Sequence, residues 1–344
     1  MADEGKTIAI AGAGSIGCYV GGCLALAGRK VNFLGRGRIV EALRKDGLRV
    51  SDLDGRDRRI DPEALAVTDD PALALRNADI VLVTVKSGAT EEMAALVAAH
   101  ARRDAIVVSL QNGVGNADKL RAGLPARRVL AGMVAFNVMQ SPDGETPFSV
   151  RRASDGMVII ENTVPGIAAL LNVEGLGVET HADMKAVQWS KLLMNLNNAL
   201  VALSNLPLAT ELADRGWRVI LADQLEEALA AMEASGIVPA RIAGPPPWLL
   251  PKVLRLPDWL FGLLARRLLA IDPRARASMW DDLQRGRPTE IDELQGAILR
   301  LAEKTGVPVP LTKRITALIR QAEADRRGSP GLGPDAVSGS PRSA

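Results

Sequence analysis

The hexapeptide Gly12-Ala13-Gly14-Ser15-Ile16-Gly17 lies between an apolar run, Thr7–Ala11 (TIAIA), and a helical pattern, Ile16–Ala27. Glycines at this spacing leave few ways to fold. The first permits a tight turn out of a strand, the second lets backbone approach a pyrophosphate, and the third lets the following helix lie close against the sheet. The helix start, at Ser15 and Ile16, then presents peptide N–H groups and the positive end of its dipole to phosphate charge. The strand–turn–helix setting is what makes these glycines informative, because the same letters elsewhere would describe only a flexible turn.

The chain beyond this helix repeats the alternation. Lys30–Leu34, Asp79–Val85, Ala105–Leu110 and Val129–Ala135 are short, nearly continuous apolar runs, with a weaker one at Leu48–Ser51. Runs of this kind suit strands buried on both faces of a parallel sheet. The stretches between them, such as Glu91–Ala101, have helical periodicity. Phe148–Arg151 and Met157–Glu161 are expected to extend the sheet, with Val173–Thr180 closing the domain. The fold class is therefore α/β, an N-terminal doubly wound Rossmann sheet over residues 1–182.

From Met184 the pattern changes to long helical segments: Met184–Ser204, Trp217–Ser235, Ser278–Gly286, Glu290–Thr305 and Leu311–Ala324. These define an all-helical C-terminal domain over 183–326, and the Gly-, Ser- and Pro-rich remainder, 327–344, is expected to be a disordered tail. An apolar excursion, Pro239–Pro273, interrupts the helices. Its uncharged runs, Ile242–Pro251 and Trp259–Ala265, fall well short of the roughly 20 residues a membrane crossing needs. It is expected to pack on its own domain or on a partner subunit of a homodimer, with its Trp-plus-basic composition leaving a membrane-surface role as the alternative.

Composition narrows the function classes. With Lys+Arg 42 against Asp+Glu 40 and a formal net charge of +2, the 344 residues carry no basic stripe for nucleic acid. Cys18 and Cys23 lie five apart in one helical pattern, which fits neither a zinc cluster nor a disulfide framework. No metal site is expected, and no signal peptide fits ahead of the first strand, so a reducing cytoplasm is the expected setting.

The end of the second strand reads Phe33-Leu34-Gly35-Arg36-Gly37-Arg38 and holds no carboxylate to accept from a ribose 2′-hydroxyl. Arg36 instead offers a planar fork to a 2′-phosphate, which favours NADP(H) over NAD(H). Arg38 either assists or is solvated. Lys86 and Asn112 stand in loops after later strands, where open α/β sheets bind ligands; each is a ligand contact or an ordinary loop residue.

Candidates for proton transfer are few. The histidines, His100 and His181, fall at element ends, and Tyr19, the single tyrosine, lies inside the first helix with no Tyr-x-x-x-Lys pair. Lysine remains. In Gln188-Trp-Ser-Lys191-Leu-Leu-Met-Asn195-Leu-Asn-Asn198, an uninterrupted helix places Lys191, Asn195 and Asn198 on one face and turns Asn197 away. The apolar neighbours suggest an enclosed helix in which a lysine would have a lowered pKa and act as a general acid, against the alternative of a solvated polar face. Ser278 is a substrate contact or a helix N-cap. Thr289 is expected to cap the next helix, where Glu290 either favours the dipole or serves the site.

GAGSIG, VTVK at Lys86, QNGVG at Asn112, WSKLLMN spanning Lys191 and Asn195, and a serine followed by TEID at Glu290 occur in this order between Thr7 and Ala324. In that order they resemble the ketopantoate reductase (2-dehydropantoate 2-reductase) family. The resemblance implies NADPH-dependent reduction of a 2-oxo acid to a hydroxy acid on the route to pantothenate and coenzyme A. It implies Lys191 as the catalytic lysine and Glu290 as the glutamate at the nascent hydroxyl. It further implies Asn195, Ser278 and Asn112 as substrate contacts, Lys86 and Asn112 near the nicotinamide, and Arg36 at the 2′-phosphate. The family's second asparagine, eight residues after the lysine, is Ala199 here, with Asn198 beside it. That departure and the long excursion keep a different 2-oxo acid open as substrate. A regulator that binds NADPH without turnover is the rival from another class, and retention of both Lys191 and Glu290 argues against it.

Overall fold

In the computed structural model the TIAIA run is a strand, β1 (Thr7–Ala11), whose alternate side chains enter two different cores. Ile8 and Ile10 pack with Cys18, Val20 and Leu24 on one face, while Ala9 and Ala11 join Val81, Val83 and Val97 on the other. A strand buried on both sides is what a continuous apolar run predicts. The structure describes residues 5–141, 147–242, 244–264 and 275–339. These form two units that meet in sequence at Met184 and Lys185.

The first unit continues through α1 (Ser15–Leu26), β2 (Lys30–Leu34), α2 (Gly37–Asp46), β3 (Leu48–Ser51), β4 (Asp57–Ile60), β5 (Ala66–Thr68) and α3 (Pro71–Leu75). It proceeds with β6 (Ile80–Val83), α4 (Thr90–His100), β7 (Ile106–Ser109), α5 (Asn116–Gly123) and β8 (Arg128–Val134). β9 (Val138–Gln140), β10 (Ser149–Arg152), β11 (Val158–Glu161), α6 (Ile167–Leu171) and β12 (Val178–His181) complete it.

Eight strands form one sheet in the order β12-β11-β8-β7-β6-β1-β2-β5. From β8 to β5 every pairing is parallel, and β11 joins β8 antiparallel. The chain runs outward from β1 through β2 to β5 and then returns to β6 on the other side of β1. The strand order therefore reverses beside β1, where such sheets hold ligands beyond the strand ends.

Two strand expectations need correction. Phe148–Arg151 does not extend the main sheet. Its strand, β10, forms a second, four-stranded sheet in the order β4-β3-β10-β9, which also takes the Leu48–Ser51 run. This sheet covers α1: Val50 and Leu48 lie directly over Gly22, where an added Cβ would meet Val50 at 2.6 Å.

The second unit is helical: α7 (Met184–Asn195), α8 (Asn197–Ser204), α9 (Leu208–Ala213), α10 (Arg215–Ala234), α11 (Leu250–Leu254), α12 (Asp258–Leu264), α13 (Ser278–Gln284), α14 (Gln295–Thr305), α15 (Pro310–Asp325) and α16 (Pro334–Ser338). The expected single helix Met184–Ser204 is divided at Leu196, whose N–H is shared between the carbonyls of Leu192 (3.0 Å) and Leu193 (3.3 Å). Glu290 does not open a helix either. Residues 290–294 form a bend and turns, with Thr289 Oγ1 accepting from the Ile291 N–H at 3.2 Å, and α14 begins only at Gln295.

The described part of the excursion packs on its own unit through Arg218 of α10, which is completely buried. Its guanidinium donates to the carbonyls of Leu254 (3.0 Å), Leu256 (3.2 Å), Leu212 (3.2 Å) and Ala213 (2.8 Å) and to Asp258, with the Phe261 ring stacked at 4.3 Å. Arg255 pairs with Asp223 and Glu226 on the same helix. Among the described residues no helix is long and apolar enough to cross a membrane. Residues 265–274, including Arg266 and Pro273, lie outside the described set.

The expected disorder after residue 326 also needs correction. Leu332 N–H donates to Leu203 O at 2.8 Å, Val337 is buried, and Arg314 bonds the carbonyls of Ala336 and Val337. The last residues, 340–344, lie outside the described set.

Candidate active site

At the turn between β1 and α1, Gly12 has φ +119, a conformation that side-chain-bearing residues rarely adopt. Its carbonyl accepts from Thr84 Oγ1 at 2.7 Å. A Cβ on Gly17 would collide with that carbonyl and lie 2.9 Å from Ile10, so the helix is drawn against β1 as the motif requires. Gly14 differs: among the described residues a Cβ there would meet nothing within 4 Å, and as N-cap of α1 it contributes no side-chain hydrogen bond. The helix start is thus open where a pyrophosphate would lie, and the residues present fit a dinucleotide. Ser15 and Ile16 form the first turn, with Ser15 Oγ 3.4 Å from Gln140 Oε1.

Arg36 caps α2 from the end of β2 and is largely exposed. Its guanidinium pairs with Glu92 in the first turn of α4.

The Lys86 and Asn112 loops are tied together by a polar network that the motifs alone did not reveal. Ser87 Oγ and Asn116 Nδ2 both donate to Asn112 O, at 3.1 and 2.7 Å. Thr90 Oγ1 donates to Ser87 O and accepts from Gln111 Nε2 at 2.7 Å, and Gln111 also reaches Val85 O. Ser87, Thr90, Gln111 and Asn116 are buried, whereas Lys86 is exposed and Asn112 half-buried. Buried polar side chains so fully bonded fix the loops that follow β6 and β7, and with them the backbone positions of the lysine and the asparagine. A signal was available: Gln111 and Asn116 are amide side chains flanking a glycine-rich turn after an apolar strand.

His181 turns back on its own loop, accepting from the Asp183 N–H at 3.0 Å. Cys18 and Cys23 are completely buried, and burial pushes their thiols up to about 12 and about 11, so both are inert packing groups. Burial also raises the Tyr19 hydroxyl, which donates to Gly175 O at 2.9 Å.

In the helical unit Lys191 lies on α7 between Ser190, bonded to Ala240 O and Ala186 O, and buried Leu192. The residue retains some exposure, yet burial around its amine pulls the pKa down to about 8. Asn195, one turn on, is buried, and Asn198 is half-buried. Ser278 is exposed at the first position of α13, and Ala277 is the N-cap, so the capping alternative for Ser278 is set aside. Glu290 is half-buried in the turn before α14.

The division after Asn195 has partners of its own. Gln295 Nε2, buried at the start of α14, donates to Leu196 O at 2.9 Å, linking α7 to the segment that carries Glu290. Asn197, expected only to turn away, donates to Glu211 Oε2 at 3.0 Å. Glu211 is completely buried and its carboxyl is pushed up to about 8, mainly by burial and also by Asp214, with the Asn197 bond opposing. Among the described residues Glu211 Oε1 and Asn197 Oδ1 have no partner, a shortfall relieved when the carboxyl is protonated and carries a donor. Because its folded pKa lies above the unfolded one, Glu211 stabilises the fold fully below the unfolded pKa, and that contribution is lost as pH rises through about 8. Glu211→Gln, which carries donor hydrogens at every pH, should gain in melting temperature relative to the unsubstituted chain between pH 5 and pH 9; a constant difference would mean that Glu211 does not titrate there.

A Rossmann-type unit followed by an all-helical unit is the two-part architecture that results. The family model "Ketopantoate reductase PanE/ApbA" matches residues 8–162, and "Ketopantoate reductase PanE/ApbA C terminal" matches residues 183–323. The chain belongs to the ketopantoate reductase family, a family of oxidoreductases. It is 29% identical over 327 residues to a 2-dehydropantoate 2-reductase of Halobacterium salinarum, covering 92% of this chain and 99% of that one. A PanE/ApbA family ketopantoate reductase from Ralstonia eutropha JMP134 superposes with a TM-score of 0.76 at 33% identity, covering 93% of this chain and 99% of that one. The fold is also that of a D-mandelate dehydrogenase solved with NADH and anilino(oxo)acetate, with a TM-score of 0.75 at 21% identity and 93% and 99% coverage.

Proposed function

We propose that this chain reduces 2-dehydropantoate to pantoate with NADPH in the cytoplasm. The observation that carries the reading is the lowered pKa of Lys191, one helical turn from a buried asparagine in a chain of this family. An amine with a pKa of about 8 remains protonated at pH 7 yet releases its proton far more readily than an ordinary lysine. Lys191 donates that proton to the 2-oxo oxygen and stabilises the developing alkoxide. Glu290 orients the new hydroxyl, while Asn195, Asn198, Ser278 and Asn112 hold the substrate. Gly12, Gly14, Ser15, Ile16 and Gly17 receive the pyrophosphate, Arg36 the 2′-phosphate, and Lys86 and Asn112 border the nicotinamide. The reduced nicotinamide supplies the hydride.

A second reading keeps the chemistry and changes the acid. Ala199, completely buried where the family often has an asparagine, removes one polar contact to the substrate. NADPH oxidation followed by absorbance, with 2-dehydropantoate beside a panel of bulkier and aromatic 2-oxo acids, separates the two. Turnover confined to 2-dehydropantoate supports the first reading, and turnover of another acid alone supports the second. Binding of NADPH without turnover of any would replace both by a regulatory role.

A further inference from the structure

Dinucleotide sites that prefer a free ribose place a carboxylate at the end of the second strand, and β2 lacks one. The structure supplies a carboxylate there by another route. Glu92, from the first turn of α4, is bonded to the guanidinium of Arg36, 56 residues away in sequence. We propose that Glu92 is a specificity-determining residue of the dinucleotide site: by holding Arg36 it opposes capture of a 2′-phosphate and widens tolerance for a nucleotide with a free 2′-hydroxyl. This inference rests on the reading of Arg36 as the 2′-phosphate contact.

The side chains of Arg36 and Glu92 are 74% and 57% exposed, so the pair is open to an arriving ligand. Exposed ion pairs are weak, and this one acts as a displaceable latch. A phosphate dianion must draw at least part of the guanidinium away from Glu92, and the carboxylate it leaves behind then repels the phosphate. A 2′-hydroxyl meets no such repulsion and can donate to the carboxylate. Glu92 also lies in the first turn of α4, beside Glu91, where a negative charge complements the positive end of the helix dipole.

The test is direct binding of NADPH and of NADH to the full chain, followed by fluorescence, for the unsubstituted protein, Glu92→Gln and Arg36→Ala. The ratio of the two affinities within one preparation is independent of the folded fraction. Glu92→Gln should raise the preference for NADPH by about 3- to 10-fold, chiefly through tighter NADPH binding, and the gain should shrink with added salt. Arg36→Ala should collapse the preference. An unchanged ratio in Glu92→Gln, or equal weakening of both nucleotides, overturns the role of Glu92 while a collapse in Arg36→Ala leaves the NADPH reading standing. An unchanged ratio in Arg36→Ala overturns both.

Discussion

Lys191→Met should lower kcat by about 10²- to 10⁴-fold while NADPH binding persists, because the proposed mechanism makes this amine the proton donor and assigns nucleotide binding to the first unit. In the unsubstituted enzyme the rate should fall as pH rises through about 8, since only the ammonium form can donate. The same substitution should stabilise the chain by about 0.5–2 kcal/mol at pH 7, measured by denaturant unfolding, because it removes a charge that burial disfavours. A pH profile flat to pH 10, or a variant with undiminished turnover, would remove Lys191 from the chemistry. Loss of activity with loss of stability would instead show that the lysine holds the helix together.

Arg218→Met should lower the melting temperature of the helical unit by about 6–20 °C, corresponding to roughly 3–5 kcal/mol. The substitution fills much of the same space but leaves the carbonyls of Leu212, Ala213, Leu254 and Leu256 without the donors that now satisfy them. Arg218→Lys should recover only part of the loss, since one ammonium cannot reproduce a planar fork reaching backbone on three sides. A shift under about 2 °C for Arg218→Met would mean that water or a rearranged loop takes over these carbonyls.

The glycine turn and the buried strands were legible in the sequence because each depends on local chemistry: backbone space at Gly12 and Gly17, and apolar side chains on both faces of β1. Lys191 and Asn195 were legible as polar residues in an apolar helix. Partnership between distant segments was not. β10 has the composition of any strand, and only its pairing with β3 and β9 places it in the second sheet. Leu196 is a good helix former, and the weak helix formers Asn195, Asn197 and Asn198 around it do not by themselves fix where the helix divides; the partners of the division, Gln295 and Glu211, lie on other helices. Arg218 and Glu211 resemble solvated charges until the carbonyls and the amide that enclose them are known. Arg36 was legible as a cation, but the Glu92 carboxylate that faces it is brought there only by the fold.

The packed terminus has a practical consequence for anyone trimming the gene. The family match ends at residue 323, so a boundary chosen from it would discard α16, which packs against α10 and α15. Such a cut would strip the cover from Val337's site, leave Leu203 O without its bond from Leu332, and release Arg314 from the two carbonyls it holds. Expression designs that preserve residues through Gly339 and place a purification handle beyond them keep that surface closed, whereas a shortened clone would expose apolar side chains and invite precipitation during handling.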